Sequence, residues 1–307
     1  MLINVKFSDF TLLVKNFHFA TDCICNIEIF IADMNFKTSY FITHPTGFQI
    51  LLYTGILTWL WFAEAYILLP PVKSKWQHTI SNLKFVFTAL PVQLFMTIFL
   101  VMISSWVAIH HWGILIHLPF SNSFFVKYFI GFILLDFFDY VYHIIMHKVK
   151  PLWKFHLVHH TDQTMDVSTT IREHPGETFF RMCFLIIWVF LSGASFGLLL
   201  LRQTFQTIAN ITSHTQFRLS EKNAKRIGAI FVTPNLHHVH HHFKLPYTDC
   251  NYGDVLSIWD RLFGTYNELE SSKTVFGIDT HMNKSICKSF THTFKIPFKK
   301  TKDLNNK

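Results

Sequence analysis

Five histidines fall within eighteen residues near the middle of this chain: His143, His147, His156, His159 and His160. The first two are spaced i, i+4, and the next three i, i+3, i+4. On a helix those spacings put side chains on a shared face, one turn apart. A neutral imidazole nitrogen is a good ligand for iron, zinc or copper, so rings at this spacing can converge on a metal. A helix core has no need of five imidazoles. Further on, residues 237–242 repeat the i, i+3, i+4 pattern at His237, His240 and His241, with His214 standing between the two groups. One first-row ion takes about four to six ligands, so nine imidazoles imply two ions. A zinc finger would use fewer and would favour cysteine.

Such ligands need a scaffold, and the composition says which kind. Of 307 residues, 35 are Phe and only 15% are charged, against ~25% in soluble domains. That points to a membrane protein. The net charge of +8 reads as basic loops and a basic tail on one side of a bilayer, not as nucleic-acid binding. Cys23, Cys25, Cys183, Cys250 and Cys287 follow no regular spacing and are expected to be free thiols in a reducing compartment. No secretory signal is visible.

Three apolar stretches reach the ~20 residues that a crossing needs. Residues 48–69 carry Glu64 and stop at Pro70-Pro71; an intramembrane carboxylate is usually paired or near a polar cavity. Residues 83–109 hold Pro91, which is expected to kink the helix, and have Trp106 and Trp112 near the far end. Residues 124–146 carry Asp136, Asp139 and His143 in their last turns, with His147 next. Lys73, Lys75 and Lys84 between the first two spans, and Lys148, Lys150 and Lys154 after the third, put both segments in the cytoplasm. His110-His111 falls on the opposite side, out of reach of the other histidines. A fourth apolar stretch, residues 179–201, continues to about residue 211 around Ser192-Gly193-Ala194-Ser195. It is either a hairpin or a single span. A single span would put the histidines on opposite faces of the membrane, so a hairpin or two short spans are expected.

The expected fold is therefore all-α. It has about three transmembrane helices, a membrane-embedded helical hairpin and a cytoplasmic helical histidine-rich domain for two metals. Residues 1–45 are expected to be a peripheral extension, 46–123 two spans, 124–270 the catalytic domain and 271–307 a basic tail. That tail mixes lysines with Phe290, Phe294 and Phe298, and either lies on an anionic leaflet or is solvated. A bacterial inner membrane or the ER membrane fits, with the site facing the cytoplasm.

The histidines sit within longer blocks. Asp136, Tyr140 and His143-x3-His147 precede Pro151-Leu152-Trp153-Lys154-Phe155-His156-x2-His159-His160. Asp162, Asp166 and Arg172-Glu173-His174-Pro175-x-Glu177 follow. After Asn210 and His214 come Thr233-Pro234-x2-His237-x2-His240-His241, Asn251-Tyr252-Gly253, Trp259-Asp260 and Thr265-Tyr266. In this order, over roughly residues 124–267, the chain resembles the fatty acid hydroxylase/sterol desaturase superfamily of integral-membrane oxygenases. The resemblance implies a non-haem di-iron monooxygenase or desaturase. Its metal ligands would be His143, His147, His156, His159, His160, His214, His237, His240 and His241. It implies two Fe ions, O2 as co-substrate, and electrons from a separate protein: a reductase, cytochrome b5 or a ferredoxin. The substrate would be a membrane lipid, whether sterol, fatty acyl, alkylglycerol or carotenoid, hydroxylated or desaturated at an unactivated C–H bond. No nucleic acid is implied. Two positions depart from the pattern. The first histidine pair encloses three residues where some members have four. Asn210 stands where some have a second histidine, which leaves one metal's ligand count open. His238 and His242 are left out of the set.

Asp136, Asp162 and Glu177, with Asp139, Asp166 and Asp260, are then candidates to accept imidazole N–H groups and fix each tautomer. Asp136 precedes His143 by two turns on the same face. Their ordinary alternative is capping or salt bridging. His174 is either a ligand or a hydrogen-bonding partner; His174-Pro175-Gly176-Glu177 is only faintly similar to the haem motif of cytochrome b5, and the acidic domain that would surround a haem is missing. Two other classes stand beside the oxygenase: a metal transporter or store, which would need ligands strung through the bilayer, and a non-catalytic homologue. The metal reading requires that the trio at 237–241 lie within ~15 Å of the trio at 156–160, a gap that side chains can bridge.

Overall fold

The computed structural model describes residues 45–68, 72–118 and 123–299. Nearly all of the expected N-terminal extension, with Cys23 and Cys25, and the lysines beyond residue 299 lie outside the described residues. The chain divides into two compact units between Leu52 and Tyr53, and all the histidine-bearing helices belong to the second. The long helices are α1 (Pro45–Ile67), α2 (Val72–Ile109), α3 (Phe124–Lys148), α5 (Pro175–Ser192) and α6 (Phe196–Ser213). The short ones are α4 (Lys150–His160), α7 (Glu221–Ile227), α8 (Pro234–His240), α9 (Ile258–Leu262), α10 (Lys284–Lys288) and α11 (Phe290–Phe294). Among the described residues no strand forms, only the isolated bridges Phe231–Leu256 and His242–Phe276. The fold is all-α.

Helices α1, α2, α3 and α5 contain stretches long and apolar enough to cross a membrane. Their outer faces keep large apolar side chains uncovered, among them Phe87, Phe95 and Phe99 of α2 and Phe125 and Phe129 of α3. Apolar surface on that scale marks contact with lipid, and a helix satisfies its own backbone there. The chain is a membrane protein.

Helix α2 starts eleven residues before the expected span. At 1.5 Å per residue its 38 residues reach ~57 Å, against a hydrocarbon thickness of ~30 Å. Its first turns therefore stand clear of the bilayer, where a loop was expected. Lys75, read from sequence as a loop charge, is buried there. Its Nζ lies 2.6 Å from Glu64 Oε2 and 3.0 Å from Asp166 Oδ2, so Glu64 has the partner that its position demanded. Lys73 and Lys84 are exposed.

The stretch after α4 is a hairpin. His159 Nδ1 faces Arg172 O, just before α5, at 3.3 Å, and His159 Nε2 lies 3.0 Å from His214 Nε2, at the end of α6. The chain leaves and returns beside one residue, which a single ~27 Å span of 18 residues could not do. Leu135 of α3, Met182, Leu185 and Val189 of α5 and Leu198 of α6 close a core with Leu115 that holds the hairpin in place. At its tip Gly193 takes φ 75° and meets Gly113 at φ 111°; a Cβ on Gly193 would stand 2.3 Å from Trp112 O. Backbone meets backbone, so no side chain can give way. Gly193→Ala is expected to cost at least about 1–3 kcal/mol, read as a lower unfolding midpoint in detergent. An unchanged midpoint would contradict this packing.

The histidine-bearing helices are short but firmly started. Thr233 caps α8 through Leu236 N, with Pro234 in the first turn, and α4 has a proline in its first turn. Prolines there remove an amide that would lack a helical partner anyway. The segment 284–299 packs on the fold along one face, while Lys288, Lys295, Phe298 and Lys299 stay exposed. Phe290, Phe294 and Ile296 pack with Phe85, Leu157 and Val158, and Arg172 Nη2 donates to Cys287 O at 3.0 Å.

Candidate metal centre

The nine imidazoles meet, and they form two sets. His143, His147, His156, His160 and His240 make one; His159, His214, His237 and His241 make the other. Within each set one ring nitrogen per residue lies within 4.8 Å of the rest. The rings of His160 and His241, one from each trio, stack with centroids 4.4 Å apart.

Helical geometry explains the division. At ~100° per residue, positions i and i+4 point ~40° apart, while i+3 lies ~60° to the other side. In α4 the i, i+4 pair His156 and His160 enters the five-membered set, and His159 turns to the four-membered one. In α8 and the residue after it the assignment is reversed: His237 and His241 join the four, and His240 the five. The α3 pair His143 and His147 completes the five, and His214, at the end of α6, completes the four.

The hydrogen bonds fix most tautomers. Nδ1 of His143 lies 2.8 Å from Tyr252 O, that of His240 2.7 Å from Cys250 O, and that of His214 2.7 Å from Asn210 O. His159 Nδ1 faces Arg172 O at 3.3 Å. A carbonyl only accepts, so each of these Nδ1 atoms is N–H and each Nε2 is a bare lone pair. His156 Nδ1 donates likewise to Glu177 Oε1 at 2.5 Å, and His147 Nδ1 to Asp249 Oδ1 at 3.4 Å. Yet His143 Nε2 and His156 Nε2 are 3.2 Å apart, and His214 Nε2 and His159 Nε2 3.0 Å. Lone pairs that close repel unless a cation lies between them. Nε2 of His147 and of His240 is buried with no partner. Orphaned, neutral, nitrogen-only donors fit iron, zinc or copper.

Burial also keeps the rings neutral, as metal binding requires. It pushes His156 down to about 4, against a smaller opposing effect of Glu173, and His214 down to about 4, against its bond to Asn210 O. Burial and then neighbouring imidazoles hold His160, His237 and His241 well below the ordinary value of 6.5. The unfolded chain binds more protons here than the folded one, so stability is whole above pH 6.5 and is lost as pH falls through about 4. The unfolding midpoint of chelator-stripped protein is expected to fall steadily between those limits. A flat midpoint would show that these rings are not buried neutral.

Of the carboxylates proposed from sequence, Glu177 accepts an imidazole N–H of the set. Asp136 does not: its oxygens take Val255 N at 3.2 Å and Trp259 Nε1 at 2.8 Å. Asp162 instead binds His78 Nε2 at 2.8 Å, Thr164 N and Thr169 Oγ1. Burial works to raise its pKa, but His78 and Arg172 hold it below the usual carboxylate range. His174 is neither ligand nor ring partner. It caps α5 by accepting from Gly176 N, and its Nε2 faces Phe294 O at 3.2 Å. Asp139 pairs with Arg202, Asp166 with Lys75 and His78, and Asp260 takes Tyr252 N and Gly253 N. His238 and His242 lie outside both sets; His238 Nε2 faces Thr215 O at 2.8 Å. Sequence reasoning missed Asp249 and the four carbonyls, and it overlooked His78 as a partner of Asp162.

A cavity of about 100 Å³ touches both sets, at His143 and His156 of one and His159, His214 and His237 of the other. It is the place where a reacting group could lie against both.

A sequence profile of the fatty acid hydroxylase family matches residues 128–265, a stretch that contains all of the imidazoles in the two sets. Ornithine lipid hydroxylase OlsE of Rhizobium tropici is 30% identical over 182 residues, covering 57% of this chain and 54% of that protein. Alkylglycerol monooxygenase of Homo sapiens is 28% identical over 188 residues, covering 59% and 40%. That of Danio rerio is 31% identical over 170 residues, covering 54% and 35%. The chain thus spans between 35% and 54% of the length of these three relatives. No solved structure matches it.

Proposed function

We propose that this chain, which belongs through residues 128–265 to the fatty acid hydroxylase superfamily, is a membrane oxygenase that hydroxylates a lipid at two irons held by nine imidazoles. The observation that carries this reading is the pairing of bare Nε2 atoms, His143 with His156 at 3.2 Å in one set and His214 with His159 at 3.0 Å in the other, an arrangement that a cation stabilises. The relatives are by name an ornithine lipid hydroxylase and alkylglycerol monooxygenases. That favours hydroxylation over desaturation, and a membrane lipid as substrate. Electrons come from a separate donor, and residues 124–270 form the catalytic domain, on the cytoplasmic side, where Lys148, Lys150 and Lys154 lie.

When bound, the irons supply O2 activation and removal of hydrogen from a C–H bond. The chain's own residues do the rest. Glu177, Asp249 and the carbonyls of Tyr252, Cys250, Asn210 and Arg172 hold the rings in their metal-facing tautomers. Burial excludes water and keeps the imidazoles unprotonated. The exposed apolar faces of α2 and α3 let a lipid tail stay in the bilayer while its reacting carbon reaches the cavity.

The test is full-chain protein in nanodiscs, loaded with iron, given a chemical reductant, a membrane lipid extract and 18O2. A lipid carrying one added 18O is expected, and none under argon. A product that has lost two hydrogens without 18O would overturn hydroxylation. The absence of any O2-dependent product in the iron-loaded protein would overturn the oxygenase reading.

A further inference from the structure

Three buried polar atoms around the cavity beside the imidazoles have no partner: Tyr142 Oη, Thr170 Oγ1 and Glu177 Oε2. They come from α3, from the 3-10 turn Val167–Ile171 and from α5. Buried polar atoms are almost always hydrogen-bonded, because leaving one unpaired is destabilising. Three of them around one cavity describe a socket for a ligand that brings the missing partners.

Their chemistry narrows the ligand. Glu177 Oε1 already takes the N–H of His156, so Oε2 waits for a second donor. Tyr142 and Thr170 can donate or accept. A ligand group that only accepts, such as an ester, an ether or a carboxylate, leaves Oε2 unsatisfied. A carboxylate would also face Glu173, Glu177 and Asp254 on the same wall. An ammonium group would face Arg181 there and the charge of any bound metal. A hydroxyl meets every demand: it donates to Glu177 and accepts from Tyr142 or Thr170.

The cavity also lies against rings of both imidazole sets, so a group held by these three atoms stands beside the metal-facing nitrogens.

We propose that Tyr142, Thr170 and Glu177 bind a hydroxyl of the lipid headgroup, so that the carbon oxidised lies within a few bonds of that hydroxyl and not in mid-chain. The oxidation half of this statement rests on the oxygenase reading; the binding half does not.

The test uses full-chain protein in nanodiscs with two probes, hexadecane-1,2-diol and its di-O-methyl ether. Affinities are measured by tryptophan fluorescence on zinc-loaded protein, which does not turn over. The diol is expected to bind at least tenfold more tightly. Tyr142→Phe and Thr170→Val should each weaken the diol about fivefold, the loss expected for one hydrogen bond, and leave the dimethyl ether and the metal content unchanged. With iron and O2, both variants should raise KM more than they lower kcat. Equal affinity for the two probes, equal weakening of both by the variants, or a product oxidised in mid-chain would overturn the proposal. If the diol is discriminated but no lipid is ever oxidised, the socket stands and the oxygenase reading falls.

Discussion

His159→Ala is expected to abolish lipid oxidation and to lower bound metal from about two ions per chain to about one. His159 belongs to the set of four, with His214, His237 and His241. A first-row ion takes about four to six ligands, so a set reduced to three falls below that range. The set of five still has four when it loses His160. His160→Ala should therefore keep more metal than His159→Ala, although both rings come from α4. Loss of a residue that merely orients a ligand costs about 10–100-fold, so loss of a ligand in the smaller set should exceed 100-fold in activity. Metal content by mass spectrometry and product by lipid analysis, measured on the same preparations, decide it. If His159→Ala loses its metal and still makes product, the dinuclear account is wrong.

Lys75→Met should produce the largest loss of stability. Lys75 sits between Glu64 and Asp166, all three buried. Glu64 also accepts Val167 N at 3.2 Å and Gln216 N at 2.8 Å, which ties α1 to the turn after Asp166 and to the segment just past His214. Removing the cation leaves two carboxylates buried side by side, which costs about 3–5 kcal/mol. In a chain of this size that is a fall of roughly 10 °C in the unfolding midpoint. Adding Glu64→Gln removes one of the stranded charges and keeps an oxygen for the two amides, so the double variant should regain part of the loss. A single variant that melts with the parent protein would show that this network carries no stability.

The nine-imidazole set was legible because helical spacing is local information. That His159 would part from His156 and His160 is also contained in the spacing, once the ~100° step is traced round the helix. Asp136 shows where angular reasoning fails. Seven residues before His143 it shares the face, but it stands ~10.5 Å away along the axis, and its carboxylate turns to Trp259 instead. The Nδ1 acceptors had no signature at all, because every residue offers a carbonyl, and the path that brings Tyr252 O and Cys250 O to the rings is set by distant packing. Lys75 was misread for the opposite reason. Charge counting treats a lysine between two spans as solvated, whereas the start of α2 places it on Glu64. The tail was ambiguous because its lysines and phenylalanines alternate, and only the Phe85 surface that receives Phe290 resolves which face is inside.

Both trios supply rings to both sets, two to one and one to two. The interval between the two ions would therefore be built into a pair of rigid rods, and neither rod could lengthen it without unwinding. Any two metals bound there would be held at a separation that this yoke, and not the ions, sets. A single alanine inserted between His156 and His159 would rotate one arm of that yoke by about a quarter-turn and disconnect the centres, with the imidazole count unchanged.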